Sequence, residues 1–228
     1  MKTLSKLIAV AWVALTSILW VGNAQAADQV KKPKLTRSLQ HFTKVNVEGN
    51  VRLIISNGDN DQLLMLSKEH LTSKQIKVEV KDGVLSIKST MSRFAGTPQI
   101  VVFAKDLQAI EACKNVQIES LSTFNAIELS ITLDQESSAN LTIDVYELYS
   151  QVTLGSKLMV KGSAEVHNIK TDQSACIDGS SFIVNNYNAE LNGICDFKAV
   201  VKDQFNYKNG TPAKMSLAGQ EVSISSLY

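Results

Sequence analysis

Three stretches in the second half of the chain share one pattern, and they limit the fold more than anything else in it. Leu158–Val166 reads LMVKGSAEV, Ala175–Ile183 reads ACIDGSSFI and Ala189–Phe197 reads AELNGICDF. Aligned on Gly162, Gly179 and Gly193, each has apolar or small residues two and four places before the glycine. Small residues (Ala164, Ser181, Cys195) stand two places after it and large apolar ones (Val166, Ile183, Phe197) four places after. Alternation with period two predicts strands with one buried face. The third stretch continues furthest, with Ala189, Leu191, Gly193, Cys195, Phe197, Ala199 and Val201 in one phase.

The glycines lie 17 and 14 residues apart. Fourteen extended residues reach about 46 Å at about 3.3 Å each, enough for two short strands and two bends. That suits one narrow coil of a parallel solenoid, in which each coil hydrogen-bonds to the next. A hairpin meander needs two-residue turns between the runs. Here only Asn192-Gly193 and Asn209-Gly210 offer one, and the first sits inside an alternation. A Greek-key sandwich is the competing architecture.

The beginning of the chain reads differently. Lys2 and Lys6 precede an apolar run from Leu7 to Val21, and Ala24-Gln25-Ala26 is an A-x-A cleavage site. This predicts a secretory signal peptide over 1–26, with an uncleaved anchor as the alternative. No cysteine follows the site, so no lipoprotein anchor is expected. A mature chain of 27–228 has no transmembrane segment and is long enough for one domain with a core. Residues 27–41, polar and basic with Lys31, Lys32, Lys34 and Arg37, read as a flexible leader. The domain is expected over 42–228. Loss of Lys2 and Lys6 takes the formal charge from +1 to −1, which gives no basic footprint for nucleic acid.

From Phe42 the strands begin. Phe42 to Ile55 alternates, and a turn cluster follows at Ser56–Asp61. Lys68–Lys74 could form a helical turn at most. Ile76–Val80, Asp82-Gly83 and Val84–Ile87 make a β-hairpin signature. Short strands then recur roughly every ten residues, and Val222–Ile224 is a candidate cap for an open solenoid end.

The F-x-x-V-x-V-x-G-x-V opening (Phe42, Val45, Val47, Gly49, Val51) and the V-x-D-G-x-L-x-I hairpin (Asp82, Gly83, Leu85, Ile87) precede glycine-marked strands at Gly162-Ser163 and Gly179-Ser180. Together they resemble the bacterial "putative autotransporter adhesin, head GIN domain" family, a domain of unknown function, over about Phe42 to Gly219. Each Gly-Ser pair here lacks the second glycine usual in that family. The resemblance implies a parallel β-helix-like fold and a secreted location, and it brings no functional residues with it. The fold expected is therefore all-β, a parallel β-solenoid of short coils with N-terminal β-hairpins.

Chemistry is sparse. His41, His70 and His167 are far apart and have no metal-ligand partner at a useful spacing, and His167 reads as a surface residue. Asp59-Asn60-Asp61 begins like a calcium loop but lacks its glycine and distal glutamate, so it reads as a solvated turn. No nucleophile elbow, phosphate loop or zinc pattern is present, and no cofactor is expected. Cys195 is expected inward and Cys176 outward, with a disulfide between them as the alternative, and Cys113 completes an odd set.

If the three glycines stack, the residues before them, Lys161, Asp178 and Asn192, form an outward polar ladder. Phe182 is expected on the outward phase, and Tyr187 and Tyr207 near coil bends, where rings could bind sugars or a protein. The bland reading is a ladder that stabilises the stack and rings that take a core or lateral packing role. The leading functional reading is an exported, non-enzymatic binding module of the envelope or surface, with a polysaccharide or surface protein as partner. The alternatives are a polysaccharide-active β-helix enzyme using Lys161 or Asp178, and a structural periplasmic protein with no ligand.

Overall fold

The computed structural model describes residues 35–66, 75–92, 94, 96–209, 214–219 and 223–226. The expected signal peptide, residues 27–34 of the leader, the Lys68–Lys74 stretch with His70, and Glu221 and Val222 lie outside the described residues. Among the described residues there are sixteen strands in one continuous sheet.

The chain enters through β1 (Leu35–Ser38), so part of the expected leader is a strand. β2 (Lys44–Glu48) and β3 (Arg52–Asn57) make the first coil segment, turning at Gly49. β4 (Gln62–Leu66) follows, then the hairpin β5 (Ile76–Lys81) and β6 (Val84–Ser89). The hairpin turns where expected: Asp82 and Gly83 both have positive φ, as a tight two-residue hairpin turn requires. β7 (Gln99–Ala104), β8 (Ala109–Cys113) and β9 (Gln117–Ser120) lead into the long strands β10 (Phe124–Asp134), β11 (Ser138–Thr153), β12 (Ser156–Asp172), β13 (Ala175–Leu191) and β14 (Cys195–Asn209). β15 (Lys214–Ala218) and β16 (Ser223–Ser226) end the chain.

The expected solenoid is present. On the first face β6, β2, β8 and the ends of β10 to β14 pair in parallel, with β16 last. On the second face β7, β3, β9 and the starts of β11 to β14 do the same, with β15 last. A third side joins them, built from the start of β10 and the middles of β11 to β14. The stack is not in chain order, because β2 and β3 lie between the β6–β7 and β8–β9 coils. At that end antiparallel strands interrupt the parallel stacking: β5 on β6, β4 on β7 and β1 on β4. β16 extends the first face in parallel rather than folding over it.

The coil is wider than the glycine spacing predicts. Leu129 pairs with Leu148, Ser138 with Lys157, Ser156 with Ala175 and Thr171 with Leu191, a period of 19 or 20 residues. The three glycines are not equivalent. Gly162 pairs with Phe182, Gly179 with Ala199, and Gly193 is a corner residue beside Gln173. Alternation fixes which face a residue takes within one strand but not which coil it belongs to, so the pattern alone carries no register. The corner between first and second faces recurs where backbones turn left-handed: Lys114-Asn115, Gln135-Glu136, Leu154-Gly155, Gln173 and Gly193. These corners are tied together by backbone bonds such as Asn115 N to Gln135 O and Glu136 N to Leu154 O.

Stacked apolar rows fill the interior. Val45, Ile110 and Ile131 form one, and Leu53, Ile118, Ala139, Leu158, Ile177 and Phe197 another. Each fully buried aliphatic side chain contributes about 1.5–3 kcal/mol. Outside, Lys44–Glu111 (2.6 Å) and the two-bonded Arg52–Glu119 pair (3.1 and 2.7 Å) clip adjacent coils together. Cys195 is buried and Cys176 half-buried; both are free, and they sit one register position apart on opposite sides of the wall.

Candidate binding face

The ladder expected from the glycines does not form. Lys161 is exposed between Thr142 and Ser181. Asp178 lies between Met159 and Lys198, whose ammonium is 4.0 Å away. Asn192 is at a corner, with its amide donating to Glu190 (3.1 Å). Phe182 is 1% exposed, so it belongs to the core, and Ile183 is the outward residue at 42%.

A bulge causes that inversion. Between Asp178 and Ile183 the register of β13 shifts against both neighbours. The Asp178 carboxylate accepts from Ser180 Oγ (2.6 Å) and Ser180 N (3.1 Å), and these bonds hold its pKa below the usual carboxylate value. An extra residue in a strand swaps every later side chain to the other face. Phe182 thereby lies over Gly162 of the neighbouring coil, where no side chain competes for the space.

The same effect moves His167. The corner near Glu165 skips a pairing position, and Val166, read as inward, becomes half-buried while His167 turns in. His167 is fully buried. Its Nε2 shares a 2.9 Å hydrogen bond with Ser150 Oγ, and its Nδ1 has no partner among the described residues. Its ring packs against Tyr187 (centroids 4.5 Å) and edge-on to Phe182 (5.8 Å). Burial lowers its pKa to about 3, so it is neutral. Tyr187 is also buried, and burial raises its phenol well above its usual value. Tyr207 is half-buried and stacks on Phe205 (5.7 Å). These groups are core.

Asp61 is not a solvated turn residue either. It is buried and accepts from Lys105 N (3.0 Å), and its other oxygen lies 2.8 Å from His41 Nδ1. Among the described residues no group of three or more His, Cys, Asp or Glu could hold a metal, and no helix is long and apolar enough to cross a membrane.

The organised polar feature is on the first face. Successive coils place Ser130, Tyr149, Asn168, Asn188 and Asn206 side by side in one outward row. The amides form a directed chain: Asn206 Nδ2 donates to Asn188 Oδ1 (2.9 Å), Asn188 Nδ2 to Asn168 Oδ1 (2.8 Å), and Asn168 Nδ2 to Glu147 Oε1 (2.8 Å). The Tyr149 hydroxyl also bonds Glu147, which raises the phenol pKa. A chain of dipoles ending on a carboxylate is mutually polarising. Beside it runs a second row, Thr132, Gln151, Lys170, Glu190 and Lys208, with Lys170 and Glu190 3.3 Å apart. Hydrogen bonds from Asn192 and Lys170 lower the Glu190 pKa. A shallow groove of about 430 Å³ lies along these rows. Each amide has more donor and acceptor capacity than the chain uses, repeated about every 4.8 Å. The spacing of the asparagines, 20 and then 18 residues, was the signal in the sequence, visible only once the coil period is known.

The family model described as "Putative auto-transporter adhesin, head GIN domain" matches residues 41–222. Solved structures share the fold at low identity. A protein named a putative adhesin from Bacteroides fragilis is 16% identical with a TM-score of 0.63, and the match covers 85% of this chain and 96% of that one. One from Parabacteroides merdae is 15% identical (TM-score 0.56; 85% and 95% covered), as is one from Parabacteroides distasonis (TM-score 0.53; 85% and 95%). No curated protein matches the chain.

Proposed function

The chain belongs to the auto-transporter adhesin head GIN domain family, and on that premise we propose that it is an exported, non-catalytic binding module of the cell envelope or surface. Its first face holds an extended polymer. The observation that carries this reading is the amide chain Asn206–Asn188–Asn168 with Tyr149 at its end, flanked by Lys170, Glu190 and Lys208. A stack that repeats its hydrogen-bonding groups at strand spacing suits a ligand that repeats its own.

A polysaccharide fits this face better than a protein. Tyr149 is the large apolar group on it, at 43% exposure, and the rest of both rows is polar. Protein interfaces centre on a desolvated cluster of apolar and aromatic anchors. Catalysis has less support, since an acid and a base must face one bond, and the pair singled out in the sequence, Lys161 and Asp178, take separate neighbours.

The test is sedimentation of the purified protein with insoluble envelope polysaccharide, for wild type and for the double variant Tyr149→Ala, Lys208→Ala. The expected result is binding by wild type and binding weakened about tenfold or more in the variant at unchanged melting temperature. Equal binding by both overturns the assignment of the face. Protease shaving of intact and osmotically opened cells reads the location, and cleavage in neither sample at sites outside the sheet argues against export.

A further inference from the structure

The third side carries a groove that the first-face reading does not use. Its volume is about 490 Å³. One wall is the outward row Asp144, Ser163 and Ile183, and the other is formed by Tyr146, Glu165, Asn185 and Lys202 at the corner where the third side meets the first face. Strand pairing skips at this corner, opposite Tyr146, Glu165 and Asn185, so these side chains project from the wall rather than lie in a row.

Tyr146 is 61% exposed, and neither its ring nor its hydroxyl has a partner among the described residues. Asp144 Oδ1 accepts from Ser163 Oγ (2.9 Å), which fixes the carboxylate and leaves its second oxygen for another donor. Glu165 is fixed by Asn185 (2.5 Å) and Asn186 (3.4 Å). Lys202 forms no ion pair among the described residues. The groove thus joins a free ring face, two positioned carboxylates, an amide and a free ammonium.

We propose that this groove is a saccharide subsite for a neutral pyranose unit. One C–H face of the sugar packs on Tyr146, with Ile183 on the far wall. Its hydroxyls donate to Asp144 and Glu165 and accept from Lys202 and Asn185. A sugar hydroxyl is both donor and acceptor, which matches a groove offering both, and a ring of axial and equatorial C–H bonds gains dispersion against an aromatic face. An acidic sugar would place its carboxylate near Asp144 and Glu165, and a basic peptide would place its charge near Lys202. The subsite deepens the binding-module reading and rests on it for the ligand class, but not on the first face.

The experiment is isothermal titration and saturation-transfer NMR of the purified protein with neutral hexasaccharides of glucose, mannose, galactose and N-acetylglucosamine. At least one binds. Tyr146→Ala weakens it about tenfold or more, a change of about 1.4 kcal/mol, whereas Tyr146→Phe keeps the stacking face and stays within about threefold. Asp144→Asn weakens binding at unchanged melting temperature. Polymer sedimentation reads the first face, whereas loss of hexasaccharide affinity on Tyr146→Ala reads this groove, so failure of the first-face reading is separable from failure of this one. The proposal is overturned if no neutral hexasaccharide binds, if Tyr146→Ala binds as wild type does, or if a lysine-rich peptide binds instead and is lost on Asp144→Asn.

Discussion

Acidification should destabilise this fold chiefly through one residue. His167 is fully buried, with its Nε2 hydrogen-bonded to Ser150 Oγ and its Nδ1 without a partner among the described residues, and its pKa falls from the ordinary 6.5 to about 3. The unfolded chain takes up this proton near pH 6.5 and the folded chain only near pH 3. Between these values the unfolded state binds more protons, so stability is complete above pH 6.5 and is lost as pH falls. Each pH unit in the window removes about 1.4 kcal/mol, which gives about 3 kcal/mol lost by pH 4.5 and about 4 by pH 3, where the folded histidine is itself half protonated. That is a large part of the 5–15 kcal/mol typical of a domain. The assay is urea unfolding followed by far-UV circular dichroism from pH 7.5 to 4.5, for wild type and His167→Leu. Leucine occupies the same row in β11 at Leu148, so the side chain fits the interior. At pH 7.5 the variant loses about 1 kcal/mol for the freed Ser150 hydroxyl. Wild type should lose about 3 kcal/mol across the range and the variant less than about 1. Parallel curves for the two proteins would refute the burial argument.

Four other outcomes follow from the packing. Gly162→Ala should cost about 3 kcal/mol or more by thermal melting, because φ is +105° and the added Cβ would lie 2.0 Å from the Ile143 carbonyl oxygen. Gly83→Ala, with φ of +73° but nothing within 4 Å, should cost only about 1 kcal/mol, and equal losses would show that space does not decide. Phe182→Ala should cost about 3–5 kcal/mol in urea unfolding, since Gly162 beside it cannot fill the cavity, and a neutral result would place the ring outside the core. Cys195, buried and with its thiol pushed up to about 11, should resist iodoacetamide at pH 8 until denaturant is added, while half-buried Cys176 reacts first; equal rates in mass spectrometry would contradict this.

The fold was legible in the sequence because its cause is local. Alternating apolar residues in runs such as Ile76–Val80, or from Cys195 to Val201, state which side of a strand is dry, and the Asp82-Gly83 turn states where two strands meet. Coil width was not legible, since it depends on corners. Asn115, Gly155 and Gly193 mark their corners by type, but Gln135, Glu136, Leu154 and Gln173 adopt positive φ there too and carry no turn signal, so the 19- or 20-residue period is not readable from residue types. Interactions with the next coil hold them there instead.

The candidate site was lost for the same reason. Counting by twos is sound until a bulge or a corner adds one residue, and two such additions lie in the part of the chain that looked most regular. The bulge at Asp178–Ile183 turned Phe182 inward, and the corner at Glu165 did the same to His167. Counted by twos from Gly179 and Gly162 both fall on the outward phase, and in the structure the two rings touch. The irregularities are therefore what assemble the aromatic interior of the last coils, where His167, Phe182, Tyr187, Phe197 and Phe205 meet. They also create the third-side groove, because a corner that skips a pairing position projects Tyr146 and Glu165 from an otherwise flat wall. Binding chemistry in this stack therefore has two sources, the regular row of the first face and the broken repeat of the third side, and the period-two reading is least able to find the second.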